Sequence, residues 1–361
     1  MQKTLSIVLN LPTWLDAEEA IQRPVRLLTV GLVLSLLLAG SSHAGPTLDA
    51  VKSQGFVRCG VNESLPGFAH PDDKGNWSGF DVDFCRAVAA TVLHDPNKVK
   101  FIPSSAKERF TLLQSGEADL LSRNTTWTFA RDSALGFDFA AITFYDGQGF
   151  MVPKKLKVKS VKDLGGASIC LLTGTTTELN LADYFRTHGM PYSPVVFEGP
   201  DEAVAAYGSG RCDAFTTDRS GLAAQRVRLP NPEEHVVLPE VISKEPLGPL
   251  VRHGDNQWED IVRWTIYAMI LAEEKGLSSK NIDQVKKTTR DPEVKRLLGL
   301  EGDLGKKLGL DNDWAYQVIK HMGNYGEVYE RNVGPNTALK LDRGLNAQWT
   351  QGGLLYAPPF R

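Results

Sequence analysis

The sequence carries almost no excess of charge of either sign. Forty Lys plus Arg stand against 43 Asp plus Glu, for a formal net charge of −3. That is too balanced for a protein whose affinity rests on a phosphate backbone, so nucleic acid is excluded as a partner. Motifs for nucleotide or covalent chemistry are also missing: there is no Gly-x-Gly-x-x-Gly after a strand, no phosphate loop and no nucleophile elbow. Seven histidines are present and none lies three or four residues from another, which excludes a helical metal pair. No catalytic residue, metal or cofactor is therefore expected. Cysteine is scarce: Cys59, Cys85, Cys170 and Cys212 are the only four, and none forms a Cys-x-x-Cys pair. What is plentiful is ordinary globular material, 42% hydrophobic and 23% charged over 361 residues. This composition excludes a disordered chain, and the length favours two or more domains.

No apolar run reaches the roughly 20 residues of a membrane span. The run from Leu27 to Ala39 follows Arg23 and Arg26 and ends in the small-residue stretch Ser42-His43-Ala44. Together these have the form of a secretory signal, with cleavage expected after Ala44 and a periplasmic destination. Residues 1–44 are thus set apart as an N-terminal extension and signal peptide. All four cysteines survive that cut, and an even number of dispersed cysteines in an exported chain favours disulfides.

Beyond residue 45 strand-like and helix-like stretches alternate. Phe56 to Val61 reads as a strand. From Asp81 the positions Phe84, Ala87, Val88, Thr91 and Val92 trace one helix face, with Asp81 and Asp83 expected as caps at its start. Val99 to Ile102 and Ala118 to Leu121 read as strands around a helix over Ala106 to Gln114. A second series follows Gly149, with strands at Phe150 to Val152, Ser168 to Leu172, Val195 to Phe197 and Asp213 to Thr217. Its helices are expected at Glu178 to Thr187, Asp201 to Tyr207 and Arg219 to Val227, before a long helix at Trp258 to Lys275. The class is α/β, with two series followed by a helical tail.

Two polar clusters directly follow predicted strands: Ser122 to Arg131, and Thr173 to Glu178 together with Thr217-Asp218. Ligands of α/β sheets sit at the carboxyl ends of strands. A zwitterion needs a guanidinium fork with hydroxyl or N–H donors for its carboxylate, and an anion for its ammonium. Arg131, Thr126 and Thr176 can supply the first, and Asp218 the second.

Gly79-Phe-Asp-Val-Asp-Phe84 with Val88-Ala89, Leu113-Gln-Ser-Gly-Glu-Ala-Asp119 and Gly174-Thr-Thr-Thr-Glu178 resemble the landmarks of the bacterial extracellular solute-binding proteins of the polar amino acid class, family 3. The resemblance covers about residues 50 to 290. Ser122-Arg-Asn-Thr-Thr-Trp-Thr128 is similar to the general L-amino acid-binding branch. It implies a two-lobed periplasmic binding protein of type II with a hinged central cleft: residues 45–146 plus 245–361 as the first lobe with its C-terminal helical extension, and 147–244 as the second. The implied activity is capture of L-amino acids, including glutamate, glutamine and aspartate, by a monomer that delivers them to the membrane permease subunits of an ABC transporter. By that resemblance Arg131, Thr126 and Thr176 hold the α-carboxylate, Asp218 the α-amino group, and Asn124 stands beside them. Arg109 occupies the position from which acidic-ligand relatives meet the side-chain carboxylate, while a second arginine of those relatives, just after the first strand, is replaced by Asn62. Selectivity is then expected from Asn62, Leu65, Phe68, Lys107 and Arg109, with acidic, amide and some neutral ligands falling within about a hundredfold, or about 2.7 kcal/mol.

Four cysteines allow three pairings. The mapped lobes put Cys59 with Cys85 and Cys170 with Cys212, since either alternative crosses the cleft twice. Closing such loops contributes on the order of 3 to 4 kcal/mol in the chain-entropy account. Two other readings share this scaffold. One is an exported enzyme such as a cyclohexadienyl or arogenate dehydratase, for which Glu63, Glu178 and Lys107 are the cleft candidates for a general acid. The other is the ligand-sensing domain of a receptor.

Overall fold

The computed structural model describes residues 45–361. The expected signal and its cleavage site after Ala44 lie outside the described residues.

Two five-stranded sheets organise the chain. In the first, Val57–Asn62 runs parallel to Val99–Ser104 on one side and to Leu120–Leu121 on the other. Leu250–Arg252 returns antiparallel between Leu120–Leu121 and Phe137–Phe139. In the second, Ser168–Leu172 lies parallel to Ser193–Phe197 and Ala214–Asp218. Gln148–Pro153 pairs antiparallel with Ala214–Asp218 and carries His235–Val237 on its other edge. The chain crosses between the sheets twice, through Phe144–Asp146 and Glu245–Leu247, which pair antiparallel as a two-stranded ribbon.

The second sheet shows why its strands read as continuous apolar runs. Side chains alternate faces along a strand, and both faces are covered. Phe150, Val152, Ile169 and Leu171 pack with Leu181 and Phe185 of the helix Thr176–Thr187. Met151, Cys170 and Phe215 pack the other way against Ala203, Tyr207 and Leu222. The disulfides Cys59–Cys85 and Cys170–Cys212, with Cα separations of 6.0 and 5.6 Å, each tie a strand of one sheet to a segment on that sheet's own layer.

The helix Phe80–Leu93 departs from its expected start. Its N-cap is Gly79 and no side chain caps it. Asp81 instead accepts the Asn124 N–H at 2.9 Å, and Asp83 accepts from Arg331 and Asn332 at 2.7 and 2.6 Å. The two carboxylates therefore anchor distant segments, which outweighs the local capping suggested by their position. The C-terminal extension is bound to the helix Phe80–Leu93 and to the ribbon. Tyr325 and Tyr329, on the helix Tyr325–Asn332, stack into an aromatic group with Phe80 and Phe144. The Tyr325 hydroxyl donates to the Thr143 carbonyl, and the Asn346 side chain accepts from the Tyr145 N–H and donates to its carbonyl. Among the described residues no helix is long and apolar enough to cross a membrane, and no group of three His, Cys, Asp or Glu side chains is placed to hold a metal.

Candidate functional site

A cavity lies between the two sheets at the carboxyl ends of their strands. The first sheet's side contributes Asn62, Leu65, Ala106, Arg109, Arg123, Asn124 and Thr126; the second contributes Leu172, Thr175, Thr176, Thr177, Phe215, Thr217, Asp218, Gly221 and Gln225. Asn62, Leu172 and Asp218 are each the last residue of a strand, so the fold alone brings these polar ends together.

The second sheet's wall is anionic at one point and donor-rich at another. Asp218 is buried, and burial pushes its carboxyl well above the ordinary range, reinforced by the nearby Asp146 and Glu245 carboxylates and opposed by Arg109 and Arg131. Asp146, on the ribbon, is raised to about 6 for the same first reason, burial. Beside them the helix Thr176–Thr187 begins without a side-chain cap, because the Thr175 hydroxyl donates to the Leu172 carbonyl at 2.7 Å. The first-turn N–H groups, which an N-cap ordinarily satisfies, therefore face a cavity lined by Thr175, Thr176 and Thr177.

The first sheet's wall is cationic. Arg109, Arg123 and Arg131 are all buried, and among the described residues none forms an ion pair within 4.0 Å. Arg131 donates from Nη1 to the Thr126 carbonyl at 2.9 Å and stacks over Phe110; it sits against Thr126 rather than in the cavity wall. Arg109 reaches Thr125 Oγ1 at 3.3 Å and, across the cleft, the Gly174 carbonyl at 3.4 Å. Gly174 is suited to this approach: its φ is +71°, and a Cβ there would meet the Lys107 Cα at 3.1 Å.

Thr126 and Thr176 come together, with hydroxyl oxygens 3.4 Å apart. Both donate to Glu245 Oε2, at 2.6 and 2.9 Å, while Asn180 Nδ2 and Ser243 Oγ donate to Oε1. A hydroxyl has one proton. In this arrangement the two hydroxyls present lone pairs to the cavity, whereas a carboxylate needs donors. Glu245 was not singled out in the sequence because nothing near it marks chemistry; its place follows from the ribbon, which sets it directly opposite Asp146.

Three other expected residues also differ in role. Phe68 is core, packed edge-on against Phe80 and Phe144, and does not line the cavity. Lys107 is exposed at the lip and pairs with Glu198 of the other side at 3.2 Å. Asn62 lines the cavity, but its amide is engaged internally, donating to Asn124 Oδ1 and accepting from the Ser64 N–H. Leu65, Asn124 and Arg109 are in the wall. Asn124 adopts a φ of +35°, a conformation that Asn tolerates better than most residues, and this turns its N–H onto Asp81.

Comparison with known proteins identifies the family. The model of the bacterial extracellular solute-binding proteins, family 3, matches residues 57–283. The general L-amino acid-binding periplasmic protein AapJ of Rhizobium johnstonii is 60% identical over 93% of this chain and 99% of its own length. The glutamate/glutamine/aspartate/asparagine-binding protein BztA of Rhodobacter capsulatus is 57% identical over 91% of this chain and 97% of its own. Among solved structures, an ABC transporter periplasmic binding protein from Brucella ovis with glutathione bound superposes with a TM-score of 0.86, at 59% identity, covering 88% of this chain and all of that one. The chain belongs to the bacterial extracellular solute-binding proteins of family 3.

Proposed function

We propose that the protein captures L-amino acids between two lobes, residues 45–146 plus 245–361 and residues 147–244, and delivers them to the permease of an ABC transporter. The observation that carries this reading is the division of charge. Guanidinium groups come from one wall, while a buried carboxylate and an uncapped helix start come from the other. A zwitterionic α-amino acid complements both. Its ammonium faces Asp218 and the lone pairs of Thr126 and Thr176; its carboxylate faces the first-turn N–H groups of Thr176–Thr187, with the Arg131 guanidinium turning to it from its seat against Thr126. Neither wall alone can supply this set, so ligand favours the closed arrangement.

The protein acts as a monomer without catalysis, exported behind a signal cut after Ala44. Support for a binding role comes from the names of its relatives, and none of Glu63, Glu178 and Lys107 lines the cavity. The α-amino acid head of glutathione, its γ-glutamyl end, carries the same two charges, so the same clamp accommodates the ligand of the Brucella relative. Calorimetry of the purified protein against all twenty L-amino acids tests the reading. Acidic, amide and several neutral amino acids should bind, and a protein that binds none of them is not an amino acid carrier. Incubation with prephenate or arogenate should leave both unchanged.

A further inference from the structure

Glu245 does not line the cavity, and only 1% of it is exposed. Its carboxylate is nevertheless met by four side-chain donors and by no cation within 4.0 Å among the described residues. Asp83 and Asp119, buried elsewhere, each take an arginine instead, Arg331 and Arg58. The donors to Glu245 also come from both sides of the cleft. Its backbone is tied to the first sheet's side: the Pro246 carbonyl accepts the Trp127 N–H at 2.8 Å, and the Gly248 N–H donates to the Thr125 carbonyl at 3.0 Å. Thr126 stands between these two contacts and reaches Oε2. From the other side come Thr176 and Asn180, one turn apart on the helix Thr176–Thr187, with one donor for each carboxylate oxygen.

We propose that Glu245 is a positioning residue for ligand capture: its hydrogen bonds are complete only when the two sides of the cleft meet, and in completing them it turns the Thr126 and Thr176 hydroxyl protons away from the cavity, so that the pair accepts from the ligand ammonium. This rests on the amino acid reading above. A hydroxyl rotates to suit its partner and can serve either charge, whereas a carboxylate only accepts. Two hydroxyls 3.4 Å apart at the cavity are therefore undecided by themselves, and Glu245 Oε2 decides them by taking both protons. After burial, Glu245 is also among the carboxylates that push up the Asp218 carboxyl, and it favours the charged guanidinium of Arg131. It thus stands close to the clamp without touching the ligand, and the test has to separate its charge from its hold on the hydroxyls.

Glu245→Gln does this because the shape is kept while the direction of the bonds reverses. Asn180 Nδ2 and Ser243 Oγ donate to Oε1 at 2.7 and 2.6 Å, so the amide oxygen of glutamine takes that place and its two N–H bonds point to Thr126 and Thr176. Both hydroxyls must then accept, and their protons turn into the cavity.

The test is calorimetry of wild type, Glu245→Gln, the double variant Thr126→Val with Thr176→Val, and all three substitutions together, with L-alanine and with propionate, which lacks the ammonium. Glu245→Gln should weaken L-alanine about tenfold or more, the worth of a charge-assisted bond, and leave propionate unchanged or tighter. On the double valine background the same substitution should cost L-alanine no more than about threefold, since the groups it acts through are gone. Equal loss in the two backgrounds shows Glu245 acting by charge alone, and equal loss of L-alanine and propionate shows a structural role; either overturns the proposal. Should Glu245→Gln not fold, the double valine variant decides: it must weaken L-alanine and spare propionate. A loss shared by both ligands, or confined to propionate, places the hydroxyls on the carboxylate and overturns the proposal. If wild type does not bind L-alanine, it is the amino acid reading that fails.

Discussion

The two walls of the cleft differ in what they lack. The first sheet's wall holds two buried arginines, Arg109 and Arg123, with Arg131 behind Thr126, and none of the three has an ion-pair partner within 4.0 Å among the described residues. The second sheet's wall holds Asp218, crowded by Asp146 and Glu245, and a helix start with no cap. Each wall is left with an unmet electrostatic demand of opposite sign. On the proposed reading, closure and recognition are one event: the ligand that satisfies both walls is also what holds them together. The walls are braced unequally too. The first is backed by the C-terminal extension, with Asn346 and Tyr325 fastened to the backbone around the ribbon. The second stands on its own two core layers.

Removing a charge from either wall breaks the comparison most severely. Asp218→Ala and Arg131→Ala should each cost about 2 to 5 kcal/mol in affinity for every L-amino acid, the typical loss when one partner of a buried charged contact is truncated. A titration showing either variant within a few-fold of wild type would remove that residue from the clamp. Next in size is Gly174→Val. Its positive φ and the approach of Lys107 to 3.1 Å mean that a branched side chain holds the walls apart, and all ligands should weaken alike by about tenfold. Selective loss of one ligand would place Gly174 in side-chain recognition instead.

Acidification acts on the second wall and also on Asp81 behind the first, whose carboxyl burial raises to about 7. Asp146 and Asp218 both have raised carboxyls, chiefly through burial. As the pH falls through about 6, the value to which Asp146 is raised, protonation removes negative charge that the ammonium needs. Affinity should therefore decline on acidification by about three- to tenfold per pH unit, and it should be recovered on returning to neutral. Affinity that rises in this window would contradict the assignment of these acids to the ammonium. The smallest effect is expected at the lip, where Lys107 and Glu198 are both exposed. Lys107→Ala should cost no more than about 1 kcal/mol, measurable as a change in salt dependence. A larger loss would bring Lys107 back into the pocket.

The alternation of apolar runs made both sheets legible. Ser168–Leu172 and its helix partners read clearly because every core position on these strands is apolar. Thr126, Asn124, Thr176 and Asp218 were legible as polar residues following strands. What was hidden depended on the crossing ribbon and on packing between distant segments. Glu245 gains its meaning from lying opposite Asp146, about a hundred residues earlier. Phe68 reads as a pocket residue until Phe80 and Phe144 pack edge-on against it. Asp81 and Asp83 carry the sequence signature of a helix start, yet their partners arrive from Asn124 and Arg331. Local spacing cannot anticipate such long-range competition for a carboxylate.

The central claim is that opposite walls meet the two charges of one ligand. Calorimetry of the purified protein with L-alanine, propionate and ethylamine tests it most directly, since the last two each keep one charge and the same small apolar body. The account predicts saturable binding of L-alanine, with propionate and ethylamine each weaker by at least about a hundredfold. Either fragment binding within a few-fold of alanine would show that one wall suffices, and would contradict the account.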